Sequence, residues 1–153
     1  MDLRSHLDRM GVRYTWSHHD TAYTAQDLAA KEHITGRRVI KPVLVQADKA
    51  FVLCALPASC YVDLMELKEE LHAKDARIVD EPELQTICRE CELGAEPPIG
   101  SLFGLPTVMD SSLMSQDQIM FQAGTHTDAI TMSTQDFVRL VKPRIARFAR
   151  NRA

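Results

Sequence analysis

The chain has 153 residues, of which 45% are hydrophobic and 25% are charged, and its formal net charge is −3. This length and composition are those of an ordinary globular protein and predict one compact domain over residues 1–153. The acidic balance argues against a duplex-DNA-binding protein, although a local patch on such a chain is still able to bind the end of an RNA strand.

Membrane and secretion signals are not expected in this sequence. No apolar run approaches the ~20 residues that cross a bilayer, and residues 1–10 carry polar and charged side chains throughout. The cysteines are too few and too loosely spaced for a disulfide framework, which makes the cytoplasm the simplest compartment. Cys88-x-x-Cys91 lacks a second pair at zinc-ribbon spacing, so we expect no metal site there.

The N-terminal part of the chain predicts two helices separated by a strand. Asp2 is placed to cap a first helix that Gly11 ends. Apolar and polar residues alternate over residues 12–16, which indicates a strand. Thr24-Ala25-Gln26-Asp27 has capping-box spacing and predicts the second helix.

The centre of the chain is predicted to contain a β-hairpin. Two apolar runs, residues 39–46 and 51–56, are joined by a short polar segment, as in an antiparallel pair. A helix is predicted from about Asp63, followed by a short strand at residues 77–79. Asp80-Glu81-Pro82-Glu83 then predicts the start of another helix.

The segment of residues 94–106 is rich in glycine and proline, so it is neither a regular helix nor a central strand. Loops of this kind often carry function. Short strands are predicted after it at residues 107–109, 119–121 and 129–132, and Ser133 begins a last helix. The whole pattern predicts a mixed α/β (α+β) fold with mostly antiparallel strands and helices packed on them.

Lys41 is the most informative single residue. In a strand it shares a face with Val39, Val43 and Val45, where an ammonium group is costly unless it reaches water, a carboxylate or a ligand. One interpretation is a lysine at a strand end that extends to solvent. The other is a lysine held in a pocket to bind an anionic or carbonyl oxygen.

Other candidates also leave two interpretations open. The glycine-rich loop either aims backbone N–H groups at a developing negative charge or is a rigid connector. His19, within His18-His19-Asp20, and His126 are each either a general base or substrate contact, or an ordinary surface histidine. No Gly-x-Ser-x-Gly pattern provides a setting for a serine nucleophile.

The C-terminal segment, residues 143–153, is predicted to be a basic tail. Together with Lys142 it carries cations and no acid, at Arg144, Arg147, Arg150 and Arg152. These side chains are able to contact phosphates, but they are also typical of a solvated helix C-terminus.

Several short motifs occur together in a characteristic order. These are His19 with residues 24–29, Val39-Ile40-Lys41, Leu56-Pro57-Ala58-Ser59, Val62-Asp63-Leu64, Phe103-Gly104-Leu105, Val108-Met109-Asp110 and Ala123-Gly124-Thr125-His126. In this order and spacing, from about Leu3 to Leu140, the chain resembles the YbaK/ProX family, the free-standing relatives of the editing domain of prolyl-tRNA synthetase.

The resemblance implies a single α/β domain around a mixed, partly closed sheet. It implies hydrolysis of the ester between a small amino acid and the 3′-terminal ribose of tRNA, without metal or cofactor. The expected partners are the acceptor end of an aminoacyl-tRNA and an aminoacyl-tRNA synthetase. The attacking water is expected to be positioned partly by the ribose hydroxyl of the substrate.

The resemblance also implies roles for individual residues. Lys41, Gly100 and Ser101 are the expected catalytic residues. The expected substrate contacts are His19, Thr24, Phe103, Gly104, Gly124 and His126, and the expected tRNA contacts are Arg144, Arg147 and Arg150. Family members have a glycine and, four residues later, a proline just before a Phe-Gly pair; aligned on Phe103-Gly104, those positions are Pro98 and Leu102.

Two classes of function therefore remain open from the sequence. The first is a trans-editing deacylase that uses Lys41 and the loop. The second is a non-catalytic module that retains the pocket and recognises an amino acid, a tRNA end or a protein partner.

Overall fold

The computed structural model describes residues 2–152. Its α-helices are α1 (Leu3–Arg9), α2 (Ala25–Lys31), α3 (Leu64–Leu71), α4 (Glu81–Ile87) and α5 (Thr134–Val141), and 3₁₀ helices occupy Gly100–Phe103 and Ser111–Ser115. Its strands are β1 (Thr15–His18), β2 (Ile40–Ala47), β3 (Ala50–Pro57), β4 (Cys60–Val62), β5 (Ala76–Ile78), β6 (Thr107–Asp110), β7 (Gln118–Gln122), β8 (Asp128–Ser133), β9 (Arg144–Ala146) and β10 (Ala149–Asn151). No helix within the described residues is long and apolar enough to cross a membrane.

The strands form three sheets of unequal size. The largest has the order β5-β2-β3-β6-β9, in which β2 pairs antiparallel with β3 and β5 while the two remaining pairs are parallel. A second, antiparallel sheet has the order β1-β8-β7, and a bridge between Val39 and Met120 links it to the first. The mixed α+β prediction with mostly antiparallel strands is confirmed. The sheets of residues 2–152 do not close into a barrel.

The predicted helix starts are confirmed by their capping hydrogen bonds. The Thr24 hydroxyl accepts from the Asp27 N–H at 3.0 Å, and the Ser133 hydroxyl accepts from the Asp136 N–H at the same distance. The Asp80 carboxylate accepts from the Glu83 N–H. Each cap satisfies a backbone donor that has no partner inside its helix.

The β2–β3 hairpin separates two apolar layers. Val43 and Val45 pack in the cluster that contains Phe148, whereas Ile40 packs in a different cluster on the opposite face. Because side chains alternate along a strand, Lys41 lies on the face of Val43 and Val45, as predicted. The prediction that Val39 shares this face is wrong: Val39 precedes β2 and packs against residues of α2.

The predicted basic tail is not a tail in the structure. Arg144–Ala146 forms β9 beside β6, and Ala149–Asn151 forms β10 beside β4. The physical reason is the apolar content of the segment, because the Ala146 and Phe148 side chains are buried among the arginines. Arg144, Arg147 and Arg150 recur at every third residue rather than every second, so the strict alternation that would have indicated a strand is absent from this segment.

Asp110 joins these C-terminal strands to the rest of the fold. Its carboxylate is buried, with 2% of the residue exposed. One oxygen accepts from the N–H groups of Phe148 at 2.9 Å and Ala149 at 2.8 Å, and the other accepts from the N–H and hydroxyl of Ser112. The end of β6, the second 3₁₀ helix and the β9–β10 connection therefore share one acceptor.

We expect Asp110→Ala to lower the free energy of unfolding by about 3–5 kcal/mol, because two interior N–H groups lose their acceptor. Urea unfolding of both proteins measures the difference. Asp117→Ala is the control, because Asp117 is exposed and its loss should change stability by less than about 0.5 kcal/mol. Equal effects of the two substitutions would contradict the role assigned to Asp110.

Candidate functional site

Three chain segments meet around His19 and His126, and we call this arrangement the histidine cluster: residues 19–24, 92–96 and 124–127. The His19 N–H donates to the Thr127 carbonyl at 2.8 Å, and the Ala22 N–H donates to the His126 carbonyl at 2.9 Å. The third segment is joined by the bond from the Gly124 N–H to the Ala95 carbonyl, at 2.8 Å. Backbone bonds therefore hold all three loops together.

His19 presents an interior hydrogen-bond acceptor. Its Nδ1 lies 2.6 Å from the Asp20 carbonyl oxygen, and a carbonyl only accepts, so we assign the ring proton to Nδ1. Nε2 is then unprotonated. It is buried and has no hydrogen-bond partner among the described residues. A buried acceptor without a partner is costly unless a ligand supplies the missing donor.

His126 is held by the same short segment. Its Nδ1 lies 3.2 Å from the Ala22 carbonyl oxygen, and its backbone N–H donates to the Glu92 carboxylate at 3.1 Å. The ring lies 5.1 Å from the Tyr23 ring, measured between centroids. Gln122 strengthens the anchor, because its amide nitrogen donates to the same Ala22 carbonyl at 2.7 Å.

Thr24 and Gly124, both predicted substrate contacts, have structural tasks at the edge of the cluster. Thr24 caps α2 through its hydroxyl. Gly124 has a φ of +94°, which favours glycine in the turn before His126. Both residues fix the position of the loops beside the histidines.

Glu92, Glu96 and Tyr23 were not singled out from the sequence. The Glu96 residue is 3% exposed, and its carboxylate accepts from the Gly94 N–H at 3.1 Å. Burial raises the pKa of the Glu96 carboxyl, and hydrogen bonding by Gly94 and the proximity of His126 partly oppose this. The signal available in the sequence for Glu96 was its place in the loop, between a glycine and two prolines.

The structure does not favour Gly100 as a free N–H donor. Its N–H already donates to the Thr107 hydroxyl at 2.8 Å in the protein interior. A Cβ at this position would lie 2.5 Å from both the Leu105 carbonyl and the Thr107 hydroxyl, so the glycine serves close packing. Ser101 is exposed at the start of the same 3₁₀ helix, which has no side-chain cap.

A glycine and a proline with the family spacing do occur in this loop, four residues before the positions aligned on Phe103-Gly104. Gly94 and Pro98 are also four apart, and Ile99-Gly100 follows them directly. The position of a Gly94 Cβ would lie 2.8 Å from the Tyr23 carbonyl and 3.6 Å from His126. The glycine of this earlier pair therefore lies at the histidine cluster, whereas alignment on Phe103-Gly104 gives Pro98 and Leu102 at the two family positions.

Phe103 and Gly104 lie on another part of the surface. Phe103 packs with Leu84 and Ile87 of α4 in one apolar cluster. Gly104 is exposed and ends the 3₁₀ helix with a φ of +70°. No hydrogen bond within residues 2–152 joins either residue to His19 or His126.

Lys41 is half-buried near the start of β2. Its ammonium makes no hydrogen bond or ion pair with any described residue. Burial lowers the pKa of Lys41, and the positive charge of Arg152 lowers it further, while Cys60 has the opposite effect. No direct contact joins Lys41 to the histidine cluster, but Val39, two residues earlier, packs with Ala22 of that cluster.

Two of the three arginines predicted to contact tRNA, Arg144 and Arg150, have guanidinium groups bonded to neighbouring groups. Arg150 pairs with Asp63 and Glu66 at the start of α3. Arg144 donates from its guanidinium to the Glu70 carbonyl, and the Arg147 N–H donates to the Glu70 carboxylate at 3.3 Å. Of these three guanidinium groups, only that of Arg150 is paired with carboxylates within residues 2–152.

The cysteines are poorly suited to act as thiolates. Burial, together with the charge of the nearby Glu96, raises the pKa of Cys88 to about 12 and that of Cys91 to about 11. Burial also raises the pKa of Cys54 to about 12. Among the described residues, no group of three or more His, Cys, Asp or Glu side chains is arranged to hold a metal ion.

Comparison with protein families matches residues 19–140 to the aminoacyl-tRNA editing domain. A curated relative from Escherichia coli (strain K12), the multifunctional Ser/Thr-tRNA deacylase ProXp-y, is 29% identical over 100 residues, which cover 65% of this chain and 59% of the relative. The relative of the same name from Escherichia coli O157:H7 matches with the same values. The chain therefore spans less than two thirds of the length of these relatives.

Solved structures share the fold at low sequence identity. The crystal structure of the hypothetical protein APE2540 has a TM-score of 0.88 at 14% identity and covers 98% of this chain and 100% of its own. A candidate trans-editing enzyme for prolyl-tRNA synthetase has a TM-score of 0.82 at 16% identity and covers 97% of this chain and 95% of its own.

We expect Gly94→Ala to lower the free energy of unfolding by about 2–4 kcal/mol, since it adds a steric clash to the cost of a left-handed residue. Gly104→Ala is the matched control, because Gly104 also has positive φ but nothing lies within 4 Å of its Cβ position. It should cost only about 1 kcal/mol. Equal losses in urea unfolding would mean that the loop does not pack tightly on Tyr23.

Proposed function

Because the chain belongs to the aminoacyl-tRNA editing domain family, as its resemblance to YbaK/ProX proteins predicted, we propose that it is a trans-editing deacylase. It hydrolyses the ester that joins a small amino acid to the 3′-terminal ribose of tRNA. Water adds to the ester carbonyl, and the products are the free amino acid and tRNA with a free ribose hydroxyl. The name of the Escherichia coli relatives makes serine and threonine the first cargoes to test.

The observation that carries this proposal is the Lys41 ammonium, half-buried and without a partner in the described chain. Such a charge is costly in the free protein and becomes favourable when an anionic or carbonyl oxygen binds. We assign Lys41 to the substrate end of the tRNA, where it holds the ester in place. An oxygen ligand also restores the pKa that burial lowers.

The two histidines are assigned to the substrate side of the site. Nε2 of His19 is an acceptor that faces inward, so it is suited to the ribose hydroxyl or the attacking water. His126 is fixed against Tyr23 and Glu92 and shapes the pocket wall. For the carbonyl oxygen we retain Ser101 as a donor and withdraw Gly100, whose N–H is already used.

A water-based mechanism is favoured over a protein nucleophile. The pKa values of Cys54, Cys88 and Cys91 are raised to about 11 or 12, and thiolate is the reactive form. Discrimination by size provides only ~1–3 kcal/mol per methylene, so a separate editing enzyme is useful where a synthetase mischarges its tRNA. We therefore propose charged tRNA as the substrate, a synthetase as a functional partner and the cytoplasm as the compartment.

The first test is a deacylation panel with tRNAs that carry alanine, serine, threonine, cysteine or proline. We expect rapid ester loss for one or two of them and a loss of kcat/KM of about 100-fold or more in Lys41→Ala, because a charge-assisted contact to the substrate disappears. Lys49→Ala is the matched control, since Lys49 lies in the turn at the other end of the same hairpin.

Unchanged kcat/KM in folded Lys41→Ala would contradict the assignment of Lys41. Failure of the wild-type protein to hydrolyse any of the esters, while it still binds tRNA, would favour the non-catalytic binding module instead. Circular dichroism and urea unfolding establish that each variant is folded.

A second test separates the two nitrogens of His19. Asparagine at this position imitates Nδ1 and retains the bond to the Asp20 carbonyl, whereas glutamine places its amide near the position of Nε2. If Nε2 accepts from substrate or water, we expect His19→Asn to lower kcat/KM by about tenfold or more and His19→Gln to lower it less. The reverse order would assign His19 a purely structural task.

A further inference from the structure

A cavity of about 260 Å³ opens next to the strand that carries Lys41. Pro57 lies in its wall and pairs with Ile40, the residue before Lys41. The polar side chains that line it are Arg37, Ser59, Ser112, Ser115, Gln116 and Asn151, and none of its lining residues, all within the described chain, is acidic. We call this cavity the serine pocket.

Three cations surround the serine pocket without acidic partners. Arg37 lies in its wall. Arg152 reaches it through its backbone N–H, which donates to the Ser59 carbonyl at 3.4 Å. Lys41 lies close enough to Arg152 for the positive charge of Arg152 to lower the pKa of Lys41. Within residues 2–152, none of these three side chains forms a hydrogen bond or an ion pair.

The other arginines of the C-terminal strands provide a contrast. Arg150 is paired with two carboxylates of the α3 start, and the guanidinium of Arg144 is bonded to the Glu70 carbonyl. The chain as a whole has a net charge of −3. At the serine pocket, by contrast, the Arg37 side chain in the wall has no acidic partner among the described residues, and a cation in a concave, hydroxyl-lined site is suited to attract and orient a phosphate group.

The serine pocket is linked to the histidine cluster through one apolar cluster beside it. Ala58 packs with Ala22, which belongs to the histidine cluster. Ser59, the next residue, lines the serine pocket. A strand of RNA whose terminal ester reaches the histidines therefore needs to cross only the β3–β4 turn to place a preceding phosphate in the pocket.

We propose that the serine pocket binds a backbone phosphodiester of the single-stranded acceptor end of tRNA, with Arg37 and Arg152 on the phosphate oxygens. The Ser59 hydroxyl and the Gln116 and Asn151 amides face the attached ribose, whereas the Ser112 and Ser115 hydroxyls donate to the Asp110 carboxylate and the Ser112 carbonyl. At about 260 Å³ the cavity is smaller than the ~300 Å³ and upward of a drug-sized site, so it fits a phosphate with part of its sugar. This inference rests on the proposed function, because it takes tRNA as the ligand.

Binding of uncharged tRNA, measured by fluorescence anisotropy at several salt concentrations, tests the proposal. We expect Arg37→Gln and Arg152→Gln each to weaken binding by about tenfold. Each should also reduce the slope of log affinity against log salt by about 0.7, the value for one single-strand phosphate contact. Lys49→Gln removes the same charge at the far end of the hairpin and should change neither quantity.

A tRNA that lacks its three terminal nucleotides locates the contact. The difference between wild type and the pocket variants should disappear with this truncated tRNA. Undiminished binding by both pocket variants, an equal loss in Lys49→Gln, or a pocket effect that persists on truncated tRNA would each overturn the proposal. Urea midpoints within error of the wild type exclude unfolding as the cause.

The deacylation panel separates failure of this inference from failure of the proposed function. If the wild-type protein hydrolyses no ester while the pocket variants lose tRNA binding, the serine pocket stands and the deacylase assignment fails. If hydrolysis proceeds and the pocket variants hydrolyse and bind like the wild type, the deacylase stands and the serine pocket is excluded.

Discussion

The antiparallel pairing of β2 with β3 is the constraint on which the rest of the structure depends. It runs without interruption from Ile40 opposite Pro57 to Ala47 opposite Ala50. A slip by one residue would move every side chain of β2 to the other face. The register therefore directs Lys41 towards the layer of Val43 and Val45, while both apolar layers remain filled.

Near the start of β2, three cations of this acidic chain lie without acidic partners among the described residues. Asp63 and Glu66, at the start of α3, pair with Arg150, and the Glu70 carboxylate accepts from the Arg147 N–H. The Asp110 carboxylate accepts hydrogen bonds from two backbone N–H groups, those of Phe148 and Ala149. The three cations near β2 are the half-buried Lys41 and the exposed Arg37 and Arg152. Burial and the charge of Arg152 make the Lys41 ammonium unfavourable in the free protein, so an anionic ligand would stabilise it.

Much of the fold was predictable because local patterns and tertiary packing agree. Capping residues marked the starts of the helices, and two apolar runs marked the hairpin. The C-terminal strands were missed because a run of arginines dominates their composition. Only burial of Phe148 and the acceptor at Asp110 make that segment extended, and neither is visible without the rest of the fold.

For the site, the sequence by itself determined the family and singled out Lys41 and the two histidines as candidates, because these inferences depend on residue type and order. Tertiary structure alone decided which groups are available. Each histidine has its Nδ1 anchored on a backbone carbonyl, at Asp20 or Ala22, and the N–H of Gly100 is consumed by Thr107. Hydrogen bonds between segments far apart in the chain set these outcomes, and a linear pattern carries no record of such partners.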